Sequence, residues 1–432
     1  MQKLIETKDL YTNFFTFEGV VKALNGVSLV VNQGETYGLV GESGCGKSVS
    51  VRSMMRIVQT PGKIVGGKIL LFLNDEDRSK GIDILKRSEA YMESIRGNDI
   101  SMIFQEASTS LNPVLSIGYQ VGESFYLHRL DEMLESAIDR LKAEIESSNP
   151  LKKVWKSFQV FLYAKELSSL QRYKEAVATI DKRLYELEDK EDHASVLEKR
   201  HLNRRREHLK KTNGFAEFIK RVPFLKHYRK YLDRVVRENV IELLKSLGVP
   251  NPYNIVDRYP HELSGGMQQR IVIAIALACY PRLLIADEPT SNLDVTIQAQ
   301  IIDLIKNLKK QRISSVLFIT HDLGLVAEIC DRVTVMYAGD ACETTAVKRL
   351  FKNPLHPYTR GLLDAVPKVK KAEALATIPG TVPNLINPPT GCRFHPRCPY
   401  AKDICSKEKP PMIEYEPGHQ VACFLYSSKG EE

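Results

Sequence analysis

Apolar residues in the first part of the chain form two short runs on either side of a turn. Residues 24–40 predict a strand, a glycine-containing turn at 32–34 and a second strand that ends at Val40. A glycine-rich segment, residues 41–48, follows directly, and the sequence from there through Met55 predicts a helix. A strand, a glycine-rich loop and a helix in this order are the context that a phosphate-binding loop requires.

Further apolar runs predict a parallel sheet. Residues 282–286 and 315–320 are almost continuously apolar, which is typical of parallel strands covered on both faces. Residues 298–308 between them predict a helix, and 100–104 and 333–337 predict two more strands. The pattern therefore indicates an α/β fold.

Residues 131–235 differ from the rest, because they are highly charged and show no strand alternation. They carry 24 Lys and Arg against 18 Asp and Glu, most of the net charge of +8. Long stretches such as 167–206 predict helices, with a helical hairpin as one arrangement and breaks at 149–150 and 211–214. The positive excess is compatible with anionic lipid or nucleic acid, but mixed charge is usual on solvated helices, which is the interpretation we favour.

Length and composition exclude several classes of protein. A chain of 432 residues is too long for one compact core, and 43% hydrophobic with 26% charged residues is ordinary for a globular protein. The longest apolar run, 271–279, predicts a buried helix and is too short to span a bilayer. The polar start of the chain lacks the pattern of a signal peptide, so we expect a cytoplasmic protein.

The glycine-rich segment has the residues that hold a nucleotide triphosphate. Its glycines allow backbone N–H groups and the following helix N-terminus to face phosphates, Lys47 reaches the β/γ oxygens, and Ser48 binds Mg²⁺. We expect ATP contacts from the whole loop: Gly41, Glu42, Ser43, Gly44, Cys45, Gly46, Lys47 and Ser48.

Two acidic residues follow the apolar run 282–286. Asp287 suits the coordination shell of Mg²⁺ at the end of a strand, directly or through water. Glu288 is either a helix cap or a catalytic base, and the sequence around it alone favours the cap. Ser264, Gly265 and Gly266 precede a predicted helix, so their amides and the hydroxyl can face an anion.

These segments in this order resemble the nucleotide-binding subunit of an ABC transporter: 41–48, the LSGGM-type segment 263–270, 283–289 and 320–322. The resemblance implies an ATPase in which Glu288 polarises the attacking water. It also implies that Gln105 senses the metal and couples to the membrane partner, and that His321 contacts the γ-phosphate. The implied magnesium ligands are Ser48, Gln105 and Asp287.

The same resemblance implies that two ATPase domains sandwich two ATP molecules. Ser264, Gly265 and Gly266 then face the ATP of the opposite subunit, together with Asp294 of the segment 291–294. Asn292 departs from the alanine usual at its position. Phe14 fits the aromatic residue that stacks on adenine, with Tyr11 as a competitor, although either could be a core residue.

Several local stretches resemble the oligopeptide/dipeptide (and nickel) importer branch: 109–113, 356–360, 378–383 and 391–399. The resemblance covers about 1–130 and 236–425, and typical members lack the charged segment between. It implies two integral-membrane permease subunits, a second homologous ATPase chain and, indirectly, an extracellular solute-binding protein. The chain would then lie peripherally on the cytoplasmic face of the cell membrane. Peptides are the expected cargo, with oligosaccharides or nickel as alternatives.

Four cysteines crowd into the last 41 residues, with 5, 6 and 17 residues between them: Cys392, Cys398, Cys405 and Cys423. In a cytosolic protein such a cluster points to metal rather than to disulfides. Four thiolates at these spacings suit a [4Fe–4S] cluster. The resemblance to the importer branch also implies a C-terminal domain that holds such a cluster. Zinc is the alternative, although its cysteine pairs usually lie closer together.

The expected fold is therefore α/β: a P-loop ABC ATPase domain with a RecA-like core and antiparallel β and helical subdomains. The predicted domains are the first ATPase part at 1–130, the charged helical insert at 131–235, the second ATPase part at 236–345 and a small cysteine-rich domain at 346–432. A soluble ABC ATPase acting on nucleic acid is the second hypothesis. It is disfavoured because the insert lacks interleaved aromatic residues and glycines, so we expect no nucleic-acid partner.

Overall fold

The computed structural model describes residues 2–73, 81–187, 190, 192–209, 228–291, 293–311, 315–366 and 377–427. The chain divides into two compact units. The first comprises Met1–Lys86, Ile100–Gln105 and Pro281–Glu432, and the second comprises Arg87–Asp99 and Glu106–Tyr280. None of the described helices is both long enough and apolar enough to cross a bilayer.

All described strands belong to the first unit. In chain order they are β1 Lys3–Thr16, β2 Gly19–Asn32, β3 Thr36–Val40, β4 Gly62–Leu71, β5 Ile82–Asp83, β6 Ile100–Ile103, β7 Leu283–Asp287, β8 Ser315–Thr320, β9 Arg332–Tyr337, β10 Asp340–Ala346, β11 Ile413–Glu416 and β12 His419–Val421. One sheet has the order β2-β1-β4-β5, and the other has the order β11-β12-β10-β9-β3-β8-β7-β6.

The α-helices of the described residues are distributed over both units. In chain order they are α1 Lys47–Met54, α2 Glu89–Ile95, α3 Ala107–Ser110, α4 Ile117–His128, α5 Leu130–Glu146, α6 Pro150–Glu186, α7 His193–His208, α8 Lys230–Ser246, α9 Pro252–Ile255, α10 Gly265–Leu277, α11 Val295–Gln311, α12 Leu323–Ile329, α13 Val347–Lys352, α14 Pro357–Asp364 and α15 Asp403–Lys407.

The centre of the larger sheet is parallel and fully buried. Strand β3 lies between β8 and β9 and is parallel to both, and β7 lies parallel to β8 and β6. Every residue of β3, β7 and β8 is buried, as the continuous apolar runs predict. Because parallel strands end at the same edge, the residues that follow β3, β6, β7 and β8 are brought together there.

The cysteine-rich end of the chain extends this sheet. Strand β10 pairs antiparallel with β9, β12 with β10, and β11 with β12. Val421 of β12 and the following Phe424 are almost completely buried. The C-terminal residues thus share the first unit with the nucleotide-loop strands.

In the second unit, α5 and α6 are separated only by residues 147–149, and α6 begins with Pro150 at its first position after the N-cap Asn149. Proline is favoured there because the first helical N–H has no intrahelical acceptor, so the predicted break at 149–150 is confirmed. The other predicted break, 211–214, lies outside the described residues. Helix α8, at the end of the charged stretch, has 17 residues.

Buried polar contacts hold these helices to one another. Tyr163 of α6 donates a hydrogen bond to the Tyr228 carbonyl at 2.6 Å. Glu166 of α6 forms a part-buried ion pair with Arg229. Arg206 of α7, whose side chain is almost fully buried, forms a bidentate pair with Asp181. Each of these buried charged side chains therefore has a partner of opposite charge, which offsets the cost of burying it.

Candidate functional site

The glycine-rich loop leaves the end of β3 and leads into α1. Its conformation depends on glycine at two positions: Gly41 has φ of 154° and Gly46 has φ of 101°. A Cβ atom at Gly41 would lie 2.2 Å from the Met336 carbonyl oxygen, and one at Gly46 would lie 2.8 Å from the Ala23 carbonyl oxygen. Only glycine fits both the backbone angles and the close approach of neighbouring main chain.

Lys47 is the first residue of α1 and is 5% exposed. Its ammonium group donates hydrogen bonds to the Gly41 carbonyl at 2.7 Å and to the Glu42 carbonyl at 3.1 Å. The loop therefore curls around its own lysine. A triphosphate bound in this loop would meet that ammonium group, the loop amides and the N-terminus of α1.

Ser48 and Asp287 connect the loop to the end of β7. The Ser48 hydroxyl donates a hydrogen bond of 2.9 Å to Asp287 Oδ1. The Asp287 side chain is buried, and its Oδ2 has no hydrogen-bond partner. Burial raises the pKa of Asp287, with a further contribution from the Glu288 charge and opposing ones from Ser48, Arg52 and Lys47. A buried carboxylate oxygen without a partner beside a hydroxyl fits a Mg²⁺ ion, which prefers oxygen ligands.

Glu288, Gln105 and His321 meet at the same sheet edge, after β7, β6 and β8. The Gln105 amide donates to Glu288 Oε2 at 3.3 Å, and His321 Nδ1 lies 3.3 Å from Glu288 Oε1. The Glu288 side chain is 14% exposed, whereas that of His321 is 63% exposed. A carboxylate held from both sides and open on one face can accept a proton from water.

The backbone around Glu288 is fixed in a form that side chains rarely adopt. Its φ is 47°, its N–H donates to the Ile319 carbonyl at 3.0 Å, and its carbonyl accepts from Ser291 N–H at 3.1 Å. The Ser291 hydroxyl also donates to the Gln105 carbonyl at 2.9 Å. Strained backbone of this kind persists where surrounding contacts over-determine it, and it often accompanies a functional position.

The sequence did not identify a role for two C-terminal side chains that contact the loop. Arg397 donates two hydrogen bonds to the Glu42 carboxylate, at 2.8 and 3.2 Å, and one to Tyr337 Oη at 3.2 Å. Tyr358 accepts a hydrogen bond from Glu42 N–H at 2.9 Å. Tyr337, Tyr358 and Phe394 pack ring against ring, with centroids 4.7 to 5.3 Å apart. The C-terminal residues thus fix the position of the loop.

Removing the Arg397 guanidinium should weaken ATP binding. In Arg397→Gln, the Glu42 carboxylate loses its bidentate partner and remains unneutralised in a loop that must hold phosphates. We expect ATP affinity to fall by about 5- to 30-fold, which corresponds to about 1 to 2 kcal/mol of binding free energy. Isothermal titration with ATP measures this, and Arg349→Gln, which removes an exposed arginine of α13, is the matched control.

A double-mutant cycle distinguishes this role from simple loss of stability. In a Glu42→Gln background the Arg397→Gln change should cost much less affinity, because the charge it neutralises is already absent. Equal ATP affinity for Arg397→Gln and the unsubstituted chain would show that the ion pair does not position the loop.

The remaining predicted nucleotide contacts lie on β1 and at the N-termini of α10 and α11. Ser264 is the exposed N-cap of α10, without a side-chain capping hydrogen bond, and Gly265 opens that helix with free space around its Cα. Asp294 caps α11 by accepting from Ile297 N–H at 2.9 Å. Phe14 is half-buried on β1, paired with Val21 and Gly62. Gly266 follows Gly265 in α10, and Asn292 lies outside the described residues.

The four C-terminal cysteines line one pocket, which also contacts Tyr400 and Phe424. Burial raises the pKa of Cys392 to about 12 and that of Cys423 to about 11, and it also raises the pKa of Cys398. Within the described residues, no three His, Cys, Asp or Glu side chains are grouped so as to hold a metal ion. The predicted iron–sulfur or zinc site is therefore not confirmed.

Comparison with known families assigns the chain. The ABC transporter family matches residues 24–291, which include the glycine-rich loop, Gln105, the 263–270 segment and Glu288. The chain belongs to the ATP-binding subunits of ABC transporters. Its enzymatic activity is ATP hydrolysis coupled to transport. A second family, the C-terminal region of oligopeptide/dipeptide transporters, matches residues 342–405, which include Tyr358 and Arg397.

Curated relatives are similar over almost their whole length. The oligopeptide transport ATP-binding protein AppD of Bacillus subtilis is 38% identical, covering 100% of this chain and 99% of that protein. The dipeptide transport ATP-binding protein DppD of the same organism is 34% identical, covering 100% and 97%. A probable peptide ABC transporter ATP-binding protein, y4tR of Sinorhizobium fredii, is 36% identical, covering 98% and 94%. The resemblance to the oligopeptide/dipeptide branch is thereby confirmed.

Proposed function

We propose that the chain is the ATP-hydrolysing subunit of an ABC importer of peptides. The observation that carries this proposal is the position of Glu288, held between Gln105 and His321 at 3.3 Å from each. Peptide or oligopeptide transport is named for each of the three relatives above. Oligosaccharide or nickel cargo and nucleic-acid binding have no comparable support.

The geometry supports a different role for each group of site residues. Lys47 and the loop amides neutralise and orient the phosphates, and Ser48 with Asp287 would hold Mg²⁺. When bound, Mg²⁺ supplies charge neutralisation at the phosphate oxygens. Glu288 accepts the proton of the attacking water, while the Gln105 amide and His321 fix the orientation of its carboxylate.

We infer that hydrolysis requires a second ATPase subunit, most simply a related but different chain. Ser264, Gly265 and Gly266 would contact ATP bound at the Lys47 site of the other subunit, with Asp294 beside them. The exposed, uncapped N-terminus of α10 supports this role, since its N–H groups are available to an anion. Phe14 would stack on the adenine base.

Concentration dependence of ATP turnover tests this pairing. The purified chain should hydrolyse ATP slowly, with specific activity rising steeply with protein concentration, because association limits the active species. Adding the second ATPase subunit of the same transporter should raise the rate further. Full activity in a chain that sedimentation shows to be monomeric would contradict the proposal.

The remaining partners follow from the same proposal. Two integral-membrane permease subunits would provide the pore, and an extracellular solute-binding protein would deliver peptide to them. The chain would lie peripherally at the cytoplasmic face of the membrane. The segment 131–235 would be an insert between the ATPase parts 1–130 and 236–345, with the cysteine-rich region at 346–432.

We also propose that Cys392, Cys398, Cys405 and Cys423 hold a [4Fe–4S] cluster. The support is that all four thiols line one pocket. Structural zinc sites usually have cysteine pairs about two to four residues apart, closer than the 5, 6 and 17 residues between these cysteines, which favours the cluster over zinc. A bound cluster would tie together a segment with little apolar core of its own.

Iron content tests the cluster directly. Protein purified without oxygen should be brown, absorb near about 400 nm and contain about four irons per chain. Replacing any one of the four cysteines with serine should remove most of the iron and leave ATP binding in place. Cys330→Ser, which changes a cysteine outside the pocket, is the matched control and should keep the iron. Colourless anaerobic protein with one zinc would refute the cluster.

A further inference from the structure

The first part of α6 presents a stripe of large apolar side chains to solvent. These are Leu151, Val154, Trp155, Phe158 and Phe161, with exposed fractions of 89, 72, 45, 39 and 57%. Their spacing places them within an arc of about 120° on one side of the helix, over about 15 Å of its length. A contiguous exposed stripe of this size is unusual in a soluble protein and indicates a binding surface. We call these five residues the α6 apolar face.

The side of the helix next to the α6 apolar face is packed, so the orientation of that face is fixed. Gln159, Leu162 and Tyr163 are at most 8% exposed. The Tyr163 hydroxyl donates to the Tyr228 carbonyl and accepts from Leu232 N–H at 3.3 Å. The exposed stripe therefore lies on a helix whose position is fixed by the contacts of its buried side.

The charged residues within this part of α6 have one sign. Residues 151–165 contain four lysines and no acidic residue. Lys152, Lys153 and Lys165 are exposed, and Lys156 pairs with Glu144 at 2.8 Å. The first acidic residue along the helix, Glu166, is 8% exposed and pairs with Arg229. Apolar and aromatic side chains flanked by lysines are typical of a helix that lies in a membrane interface.

We propose that the α6 apolar face binds the surface of an anionic phospholipid bilayer. The apolar side chains would enter the boundary between headgroups and acyl chains, and the lysine stems would extend so that their ammonium groups meet lipid phosphates. A nucleic acid would match the lysines, and its bases can stack on Trp155, Phe158 and Phe161, which lie among lysines contrary to the expectation from the sequence. It would leave Leu151 and Val154, the two most exposed apolar side chains, without an apolar partner. The chain would thus contact lipid itself, in addition to any contact through permease subunits.

Trp155 makes the proposal directly measurable, because it is the one tryptophan among the 432 residues. Purified full-length chain is mixed with vesicles of phosphatidylglycerol and phosphatidylethanolamine, or with vesicles of phosphatidylcholine alone. We expect the anionic vesicles to shift Trp155 emission to shorter wavelength and to protect it from iodide quenching. Replacing the anionic vesicles with phosphatidylcholine vesicles should weaken binding by about tenfold or more. Raising the salt to 0.5 M should do the same, because it shortens the Debye length to about 4 Å, from about 10 Å at 0.1 M.

Matched variants locate the binding surface. Val154→Ser/Phe161→Ser and Lys152→Glu/Lys153→Glu should each weaken vesicle binding by about tenfold or more. Two controls on α7 should change vesicle binding by less than about twofold. Leu197→Ser changes a leucine that is 50% exposed, and Arg204→Glu/Arg205→Glu makes the same change in charge as the lysine variant. Circular dichroism and thermal unfolding should be unchanged in all four variants, which shows that the helices of the second unit still fold.

Several outcomes would overturn the proposal. Unchanged Trp155 emission with anionic vesicles would exclude lipid contact at this face. A shift that grows with protein concentration in the absence of vesicles would show that a second copy of the chain covers it. Equal loss of vesicle binding in the α7 controls would show only general attraction of a basic protein. Because ATP hydrolysis is not part of the readout, none of these outcomes depends on the proposed transport function.

Discussion

Glu288→Gln should abolish ATP turnover while leaving ATP binding intact. Glutamine keeps the shape of the side chain and can still contact Gln105 and His321, which lie on either side of it. It cannot accept a proton from water, and positioned general bases contribute about 10²- to 10⁴-fold to rate. We expect single-turnover hydrolysis in the assembled complex to fall by at least about 10²-fold, with ATP affinity within about threefold of the unsubstituted chain.

The variant should also trap the paired, ATP-bound state, because bound ATP is no longer consumed. Sedimentation with ATP should show a stable dimer that separates when ATP is removed. Glu328→Gln, at an exposed glutamate of α12, is the matched control and should hydrolyse ATP normally. Unimpaired turnover in Glu288→Gln would refute the assignment of the base.

Lys47→Ala should weaken ATP binding itself. The buried ammonium group of Lys47 is the one positively charged side chain of residues 41–48, and it attracts the triphosphate. Hydrogen bonds to charged groups contribute about 1.5 to 3 kcal/mol each. We expect ATP affinity to fall by about ten- to a hundredfold, with hydrolysis undetectable at concentrations that saturate the unsubstituted chain. Titration with a fluorescent ATP analogue measures the affinity.

The two variants separate binding from chemistry. Lys348→Ala, which removes an exposed lysine of α13, should bind ATP like the unsubstituted chain and serves as the control for Lys47→Ala. A Lys47→Ala chain that binds ATP at full affinity but does not hydrolyse it would place the lysine in the chemical step alone. That result would contradict the role we assign to it.

Strands buried on both faces were the part of the fold that the sequence predicted best. The runs at 282–286 and 315–320 contain few polar residues, and the structure confirms them as β7 and β8 within one residue at either end. Helix ends were less predictable: the helix expected at 298–308 extends over Val295–Gln311. Charged residues at helix ends weaken the apolar periodicity, so the pattern reveals the middle of a helix better than its limits.

The site was predictable in so far as it depends on local sequence order. Gln105, Glu288 and His321 each follow a strand of one parallel sheet, so sheet topology brings them together. The Glu42–Arg397 pair could not be predicted in this way, since 355 residues separate its members and neither residue type is unusual on a surface. The stripe on α6 was hidden because buried and exposed apolar residues alternate around the helix and obscure its periodicity.

The central claim is that ATP hydrolysis at this site drives peptide import, and uptake into proteoliposomes tests it most directly. The chain would be reconstituted with the permease subunits and the second ATPase subunit of the same transporter. Uptake of a labelled peptide would be measured with the binding protein outside the vesicles and ATP inside them. We predict uptake that requires ATP and is lost with Glu288→Gln but not with Glu328→Gln. Peptide uptake that proceeds equally with Glu288→Gln, or ATP hydrolysis that never responds to peptide and binding protein, would contradict it.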